Sequence, residues 1–402
     1  KPPHINFGLA IDIPKPDGSR ALLVPNIKAC EKLKFNEFLM AYEDLVKKAR
    51  DNKLTAADFG GTTVSLTNPG GIGTVHSVPR LTKGQGAIIG VGALEYPAEY
   101  QGLTEGQLAR MGVGKVLTLT STYDHRVIQG AGSGEFLKIV SDLLRGEDNF
   151  YQEVFADMRI PYEPVLWSQD FDPEDSDERP KSARIQELIN AYRVRGHLMA
   201  DIEPLEYVQR SHPDLDVRSH GLSLWDLDRS FRTGGFGGRS KAKFREILGI
   251  LRDTYCRTVG VEYMHIQNPD EREWFQSKLE RPYKKPSREE QLRILNKLNE
   301  AEAFETFLQT KFVGQKRFSL EGSESLIASL DEILQEAANE GLDTAAIGMA
   351  HRGRLNVLTN IAGKTYGQVF REFEGNTDGT SVQGSGDVKY HLGTVGTFTS
   401  LE

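Results

Sequence analysis

An α/β fold is predicted for this 402-residue chain, with a sheet-bearing region at each end and helices between them. The first observation is the run from Val116 to Thr122, in which apolar and β-branched residues alternate as on a pleated, half-buried strand. Phe136, Leu137, Val140, Leu143 and Leu144 follow at helical spacing. The second is the segment AAIGMAHRGRLNVLTNIAG at 345–363, a short apolar run, a tight basic turn and a helical pattern opening near Arg354. A helical pattern precedes it (Leu326, Ile327, Leu330, Ile333, Leu334), with Ser323 expected as N-cap and Gly341 as its stop. The order helix, strand, helix implies a parallel sheet. The third is composition: 38% hydrophobic and 26% charged residues are ordinary for a soluble globular protein, and 402 residues suffice for two or three cores.

From the N-terminus, Phe35, Phe38, Leu39, Tyr42, Leu45, Val46 and Ala49 form one helical stripe, with Asn36 expected as N-cap and Phe35 with Met40 as a hydrophobic staple. Asn68-Pro69-Gly70-Gly71 is a strong turn signal, so Thr67 ends a strand. Gly71-Ile72-Gly73 lacks the third glycine and the helix of a dinucleotide fingerprint, which argues against a nicotinamide site. The stretch SQDFDPEDSDERPK at 168–181 is acidic and almost free of large apolar residues, so it is expected as an exposed linker holding the domain boundary. Beyond it, Ile185, Leu188, Ile189 and Tyr192 recur at helical spacing, with Arg193, Arg195 and His197 expected on the wet face. The glycine cluster at 233–239 has no recognisable strand before it and reads as a flexible connector. Residues 289–313 read as a long amphipathic helix.

A net charge of −8 gives no electrostatic reason to expect nucleic acid, and no stretch combines a basic patch with interleaved aromatics. No run approaches membrane-spanning length. Cys30 and Cys256 lie far apart, without metal or disulfide spacing, and no signal-peptide pattern opens the chain, so a cytoplasmic location is expected.

His125 stands at a strand-to-helix corner that can present it to a cleft; on position alone the plainer reading, one of nine histidines on an ordinary loop, outweighs that one. Residues 123–130, YDHRVIQG, resemble the signature YDHRVIDG of the dihydrolipoyl acyltransferases of 2-oxo acid dehydrogenase complexes. The likeness extends through HINFGLAID (4–12), LLVPNIK (22–28), GGTTVSLTNPGGIGT (60–74) and AIIGVGALE (87–95). It implies a chloramphenicol-acetyltransferase-like mixed-sheet domain over residues 1–145, incomplete at its N-terminus. Acyl transfer between a dihydrolipoamide thiol and coenzyme A needs a base for the thiol and donors for the oxyanion. The resemblance gives these roles to His125 and to the Thr67 hydroxyl. Gln129 replaces the family's aspartate, which leaves two readings open: an active transferase, or a silent scaffold or acyl-CoA-sensing module.

FLQTKFVGQKRFSLEGSESLI (307–327), GMAHRGRLNVL (348–358) and GSGDVKYHLG (384–393) resemble the thiamin-diphosphate-dependent 2-oxoglutarate dehydrogenase component. The likeness implies the start of a thiamin-diphosphate-binding parallel α/β domain at 291–402, after a helical region at 182–290 and a linker at 146–181. It sets Arg352 and His351 near the cofactor diphosphate and His391 near the 2-oxo acid, with His351 and His391 serving catalysis. The family's magnesium signature does not follow residue 393, so the Mg²⁺ ligands are expected beyond residue 402 and the chain is expected to be a fragment. Both likenesses in one polypeptide resemble the fused multifunctional 2-oxoglutarate enzymes of actinobacteria. The implied activity is decarboxylation of 2-oxoglutarate with succinyl transfer to a lipoyl group on a partner acyltransferase. Dihydrolipoyl dehydrogenase is a further implied partner. A homo-oligomer is implied as well, a dimer or, with both families' interfaces closed, a trimer of dimers.

Overall fold

The computed structural model describes residues 3–14, 17–170, 180–315, 317–374 and 392–400. Its contacts divide the chain into two compact units, residues 1–283 and 284–402. The break is therefore not at the acidic stretch, whose central part, 171–179, lies outside the described residues.

The first unit is built on a five-stranded mixed sheet. Its strands are β1 (Phe7–Leu9), β4 (Asn26–Ile27), β5 (Val64–Thr67), β6 (Ala87–Val91) and β7 (Leu119–Tyr123), with β2 (Ile11–Pro14) and β3 (Arg20–Leu23) forming a separate hairpin. The spatial order is β4-β1-β5-β6-β7; β1, β5 and β6 run parallel, and both edges are antiparallel. The parallel centre needs a crossover, and α1 (Phe35–Arg50) with the single turn α2 (Ala56–Phe59) supplies one between β1 and β5. Leu9, Ile27 and Leu45 are buried there, with Phe7, Ile11 and Phe38 against them. Asn36 is not the cap of α1: Lys34 holds that place, its N–H donating to Glu37, while the Asn36 side chain accepts from Glu37 N–H. Starting there, the helix turns Met40 outward to 70% exposure, so the expected staple with Phe35 does not form.

α3 (Glu105–Met111) precedes β7, and α4 (Gly130–Leu144) follows it. The expected linker 146–181 is partly folded: α5 (Phe150–Asp157) packs on α1, where Asp157 accepts from Phe35 N–H at 2.9 Å. α6 (Lys181–Arg195), α7 (Phe244–Tyr255) and α8 (Pro269–Leu279) build the helical part of this unit, with Ile185, Leu188, Ile189, Tyr192, Phe244 and Leu251 at its centre. The glycine cluster is not a loose connector. It closes a hairpin between β8 (Ser230–Arg232) and β9 (Lys241–Lys243), and its Phe236 is buried in the helical core.

Arg193 overturns the wet-face expectation. Its Nε and Nη2 each donate to a carboxylate oxygen of Glu280 at 2.7 Å, and that carboxylate also accepts from Tyr255 Oη, itself bonded to Tyr263 Oη. Burial, followed by the Glu280 carboxylate, pushes the Tyr255 phenol far above its usual range, which keeps it a donor here. Arg195 does face outward, near Asp214, whereas His197 is largely buried, its Nδ1 enclosed and its Nε2 3.7 Å from Glu262.

The second unit is helical among its described residues: α9 (Arg288–Lys311), α10 (Ser325–Asn339), α11 (Arg354–Asn360) and α12 (Tyr366–Phe373). Ser287 and Glu290 cap α9 reciprocally, as a Ser-x-x-Glu start requires. Glu324, not Ser323, precedes α10. The apolar run 345–350 is not a strand; it is largely exposed and joins no sheet among the described residues, and Met349 O accepts instead from Arg354 Nη1. The parallel sheet predicted for this region is thus absent from the described residues.

Replacing Arg193 by Met should cost about 3–5 kcal/mol, because Glu280 would keep its burial and lose its cation. Urea unfolding checks this; a loss below about 1 kcal/mol would mean that Glu280 reaches solvent or another donor.

Candidate active site and its relatives

β7 closes on β6 through Asp124 N–H, which donates to Gly86 O at 3.0 Å. The chain then turns sharply, with Val127 and Ile128 N–H both donating to Asp124 O, and α4 begins at Gly130. His125 and Arg126 occupy the crest of this corner and are exposed. The His125 ring lies 5.5 Å from that of Tyr123, and among the described residues it has no hydrogen-bond partner. An imidazole with both nitrogens open can take a proton from a thiol brought to it. Arg126 wraps its own neighbour: its Nε and Nη2 donate to Asp124, and these bonds pull the Asp124 carboxyl down to about 2. Gln129 sits at the N-cap of α4, and its side chain makes no capping hydrogen bond.

Thr67 ends β5 as expected, and the Pro69–Ile72 turn follows it. The register decides how it relates to His125. Thr67 lies beside Gly90, which pairs with Thr120 at the start of β7, whereas Tyr123 pairs with Ala87, beside Val64. Because β7 is antiparallel to β6, the chain travels from the Thr67 end of the sheet to the other end before it reaches His125. The separation is about five residues along the strands, on the order of 15 Å. One copy does not bring the two side chains together.

In the second unit His351 and Arg352 form the turn before α11, and His391 lies outside the described residues. Gly353 has a left-handed φ of 73°, and a Cβ there would stand 2.4 Å from Leu320 Cδ1, so only glycine fits. Its N–H donates to Phe318 O, and the His351 ring packs on Phe318 at 5.1 Å. Arg352 is exposed, with one long contact to Ser319 O at 3.5 Å. The motifs at 307–327 and 348–358 are joined by a buried carboxylate. Glu305 accepts from Leu320 N–H, Asn356 Nδ2 and Arg317 Nη1 at 3.1, 3.1 and 3.3 Å. Sequence reasoning missed it, although an acid lying between Ala301, Phe304 and Leu308 on the buried stripe of α9 is a readable signal. Among the described residues no group of three His, Cys, Asp or Glu could hold a metal ion, and no helix is long and apolar enough to cross a membrane.

Residues 1–151 match the 2-oxoacid dehydrogenases acyltransferase (catalytic domain) family. The whole chain is 59% identical over 403 aligned positions to the multifunctional 2-oxoglutarate metabolism enzyme of Mycolicibacterium vanbaalenii, covering 32% of that protein. It is 58% identical over 400 positions to the 2-oxoglutarate dehydrogenase E1/E2 component of Corynebacterium glutamicum, covering 98% of this chain and 32% of the relative. A solved structure, a probable dihydrolipoamide acetyltransferase from Listeria monocytogenes, is 27% identical; the match covers 33% of this chain and 53% of that one, with a TM-score of 0.28, too low to bear on the geometry above. Residues 1–151 are thus similar to the 2-oxoacid dehydrogenase acyltransferase catalytic domain, and over its full length the chain is similar to multifunctional 2-oxoglutarate metabolism enzymes, of which it spans about a third.

Proposed function

We propose that the N-terminal part transfers an acyl group, succinyl by the names of the relatives, between a lipoyl thiol and coenzyme A, in a site built from two copies of the chain. The observation that carries this reading is the strand register, which holds Thr67 and His125 at opposite ends of one sheet. In the assembled site His125 of one copy takes the thiol proton, while Thr67 of a second copy donates to the oxyanion of the tetrahedral intermediate. The exposed Val127, Phe136 and Ile139 on and beside the corner supply apolar surface for that second copy to cover. The overall assembly proposed is a homo-oligomer, a dimer or a trimer of dimers.

For the second unit we infer a contribution to thiamin-diphosphate-dependent decarboxylation of 2-oxoglutarate, in which the cofactor supplies the electron sink. The residues fit such a group: Arg352 is cationic, exposed and only loosely held, and Arg354 Nε is buried with no hydrogen-bond partner among the described residues. Arg352 and His351 would face the diphosphate, and His391 the 2-oxo acid. A lipoyl-bearing acyltransferase and dihydrolipoyl dehydrogenase are the proposed partners, in the cytoplasm. One observation favours the alternative of a catalytically silent N-terminal scaffold or acyl-CoA sensor: the N-cap of α4 beside His125 carries Gln129, whose side chain leaves the helix start uncapped.

Three outcomes are expected. Full-length His125→Ala and Thr67→Ala variants should each lack succinyl transfer to coenzyme A, and co-assembling them from the unfolded state should restore about a quarter of wild-type activity, a fraction independent of the cyclic symmetry. No recovery in verified hybrid assemblies would place both residues in one copy's site, or neither in any. Gln129→Asp should stabilise α4 by about 0.5–2 kcal/mol through the missing cap, read by chemical unfolding; a gain in stability without transfer activity would favour the scaffold. Arg352→Ala should weaken thiamin diphosphate binding about tenfold to a hundredfold by calorimetry, and unchanged affinity would return the basic turn to a purely structural role.

A further inference from the structure

A small pocket of about 40 Å³ lies in the helical part of the first unit, where the segment 162–166 meets α6, α7 and the turns at 211–218. Tyr162 and Tyr192, Ser211 and His212, and Arg252 are among its walls. One water needs about 10–15 Å³ of such space, so the pocket holds a few waters or one small ion and no metabolite. None of these residues belongs to the His125 or Thr67 ends of the sheet.

Arg252 is half-buried, and its contacts are all to neutral groups. Its Nη2 donates to Glu163 O at 3.0 Å, and its Cζ lies 4.4 Å from the centre of the Tyr162 ring. Its Nε is buried and has no hydrogen-bond partner among the described residues. The groups around it supply no negative charge. Burial pushes the Tyr192 phenol and the Cys256 thiol each up to about 12 and raises the Tyr162 phenol, so all three stay protonated. The nearby acids have cations of their own. Asp216, also on the pocket wall, accepts from Arg218 N–H at 3.0 Å and stands 3.5 Å from Arg218 Nη2, while Asp253 is 3.7 Å from Arg257 Nη1. Glu163 contributes its carbonyl to Arg252, and its residue is exposed. Among the described residues no carboxylate lies within 4.0 Å of the Arg252 guanidinium.

We propose that this pocket binds a halide-sized monovalent anion against Arg252 Nε. Water there would satisfy the nitrogen and still leave a half-buried guanidinium without a counter-charge, which an anion supplies. His212 adds a donor to the walls: its Nδ1 accepts from Asp214 N–H at 3.2 Å, so its ring proton sits on Nε2. The Ser211 hydroxyl is a second. Once bound, the ion joins α7 to the segment 162–166 and to the turns at 211–218, which otherwise meet Arg252 through a single carbonyl and a ring face.

The test compares the full-length protein in sodium chloride and in sodium gluconate at equal ionic strength and pH, gluconate being too large for the pocket. Hydrogen–deuterium exchange of the peptides covering 162–166 and 211–218 is the readout. With chloride at ten times its dissociation constant, exchange there should be about tenfold slower than in gluconate, and Arg252→Met should abolish the difference. Because that variant also removes the Tyr162 contact, the wild type supplies a second measurement: crystals soaked in bromide should show an anomalous peak beside Arg252 Nε. Equal exchange in the two salts overturns the proposal, as does chloride protection that survives in Arg252→Met, or a bromide-soaked crystal without the peak.

Discussion

The antiparallel closure of β7 onto β6 is the constraint on which the rest of the first unit depends. Each rung fixes its neighbour: Gly90 faces Thr120 and Ala87 faces Tyr123, so Asp124 must leave the sheet at the Val64 end of β5. A register slip of one residue would turn every side chain of β7 to the opposite face, and the buried Ile88 and Ile89 of β6 hold it against that. Where His125 emerges, how far it stands from Thr67, and where α4 must begin are all consequences of this pairing.

Much of this was legible in the sequence. Alternation in Val116–Thr122 located a strand, the Asn68-Pro69-Gly70-Gly71 turn ended another at Thr67, and helical spacing found α1, α4, α6, α9 and α10. Strand order and direction were not legible, because periodicity reports which face a residue takes and not which strand lies beside it. His125 and Thr67 could therefore be named singly, while their separation could not. Helix starts went wrong by one or two residues at Asn36 and Ser323, since several polar residues in a row can each cap and tertiary contacts choose among them. The strand expected at 345–350 failed for a different reason. An apolar run becomes a strand only where another strand accepts its hydrogen bonds, and pattern alone cannot supply that neighbour.

Buried charge was the least legible feature. Arg193 on α6 and Glu305 on α9 look like ordinary charged positions of amphipathic helices, yet Glu280 and Arg193 satisfy one another inside the helical core, and Glu305 ties α9 to the Leu320 segment and α11. Such residues are costly to bury unless every lone pair finds a donor. Glu305 finds three, Arg317 and Leu320 from one motif segment and Asn356 from the other, so those segments cannot move independently of α9. His351 and Arg352, one turn before Asn356, inherit their position from that joint.

Arg229 does the same for the first unit, at the place where the sequence suggested that two domains would be separable. The last carbonyls of a helix have no partner within it, and α3 gives two of its own to this one guanidinium, which Asp226 and Asp170 neutralise from the helical side. Lys181, at the first position of α6, completes the balance on Asp226 at 2.8 Å. Cutting the chain between α5 and α6 would part α3 from the arginine that terminates it, and would leave Asp226 to recover its cations without the geometry that now fixes them. The residues before and after the acidic stretch are thus one folded body, held by a polar joint whose members lie more than a hundred positions apart in sequence.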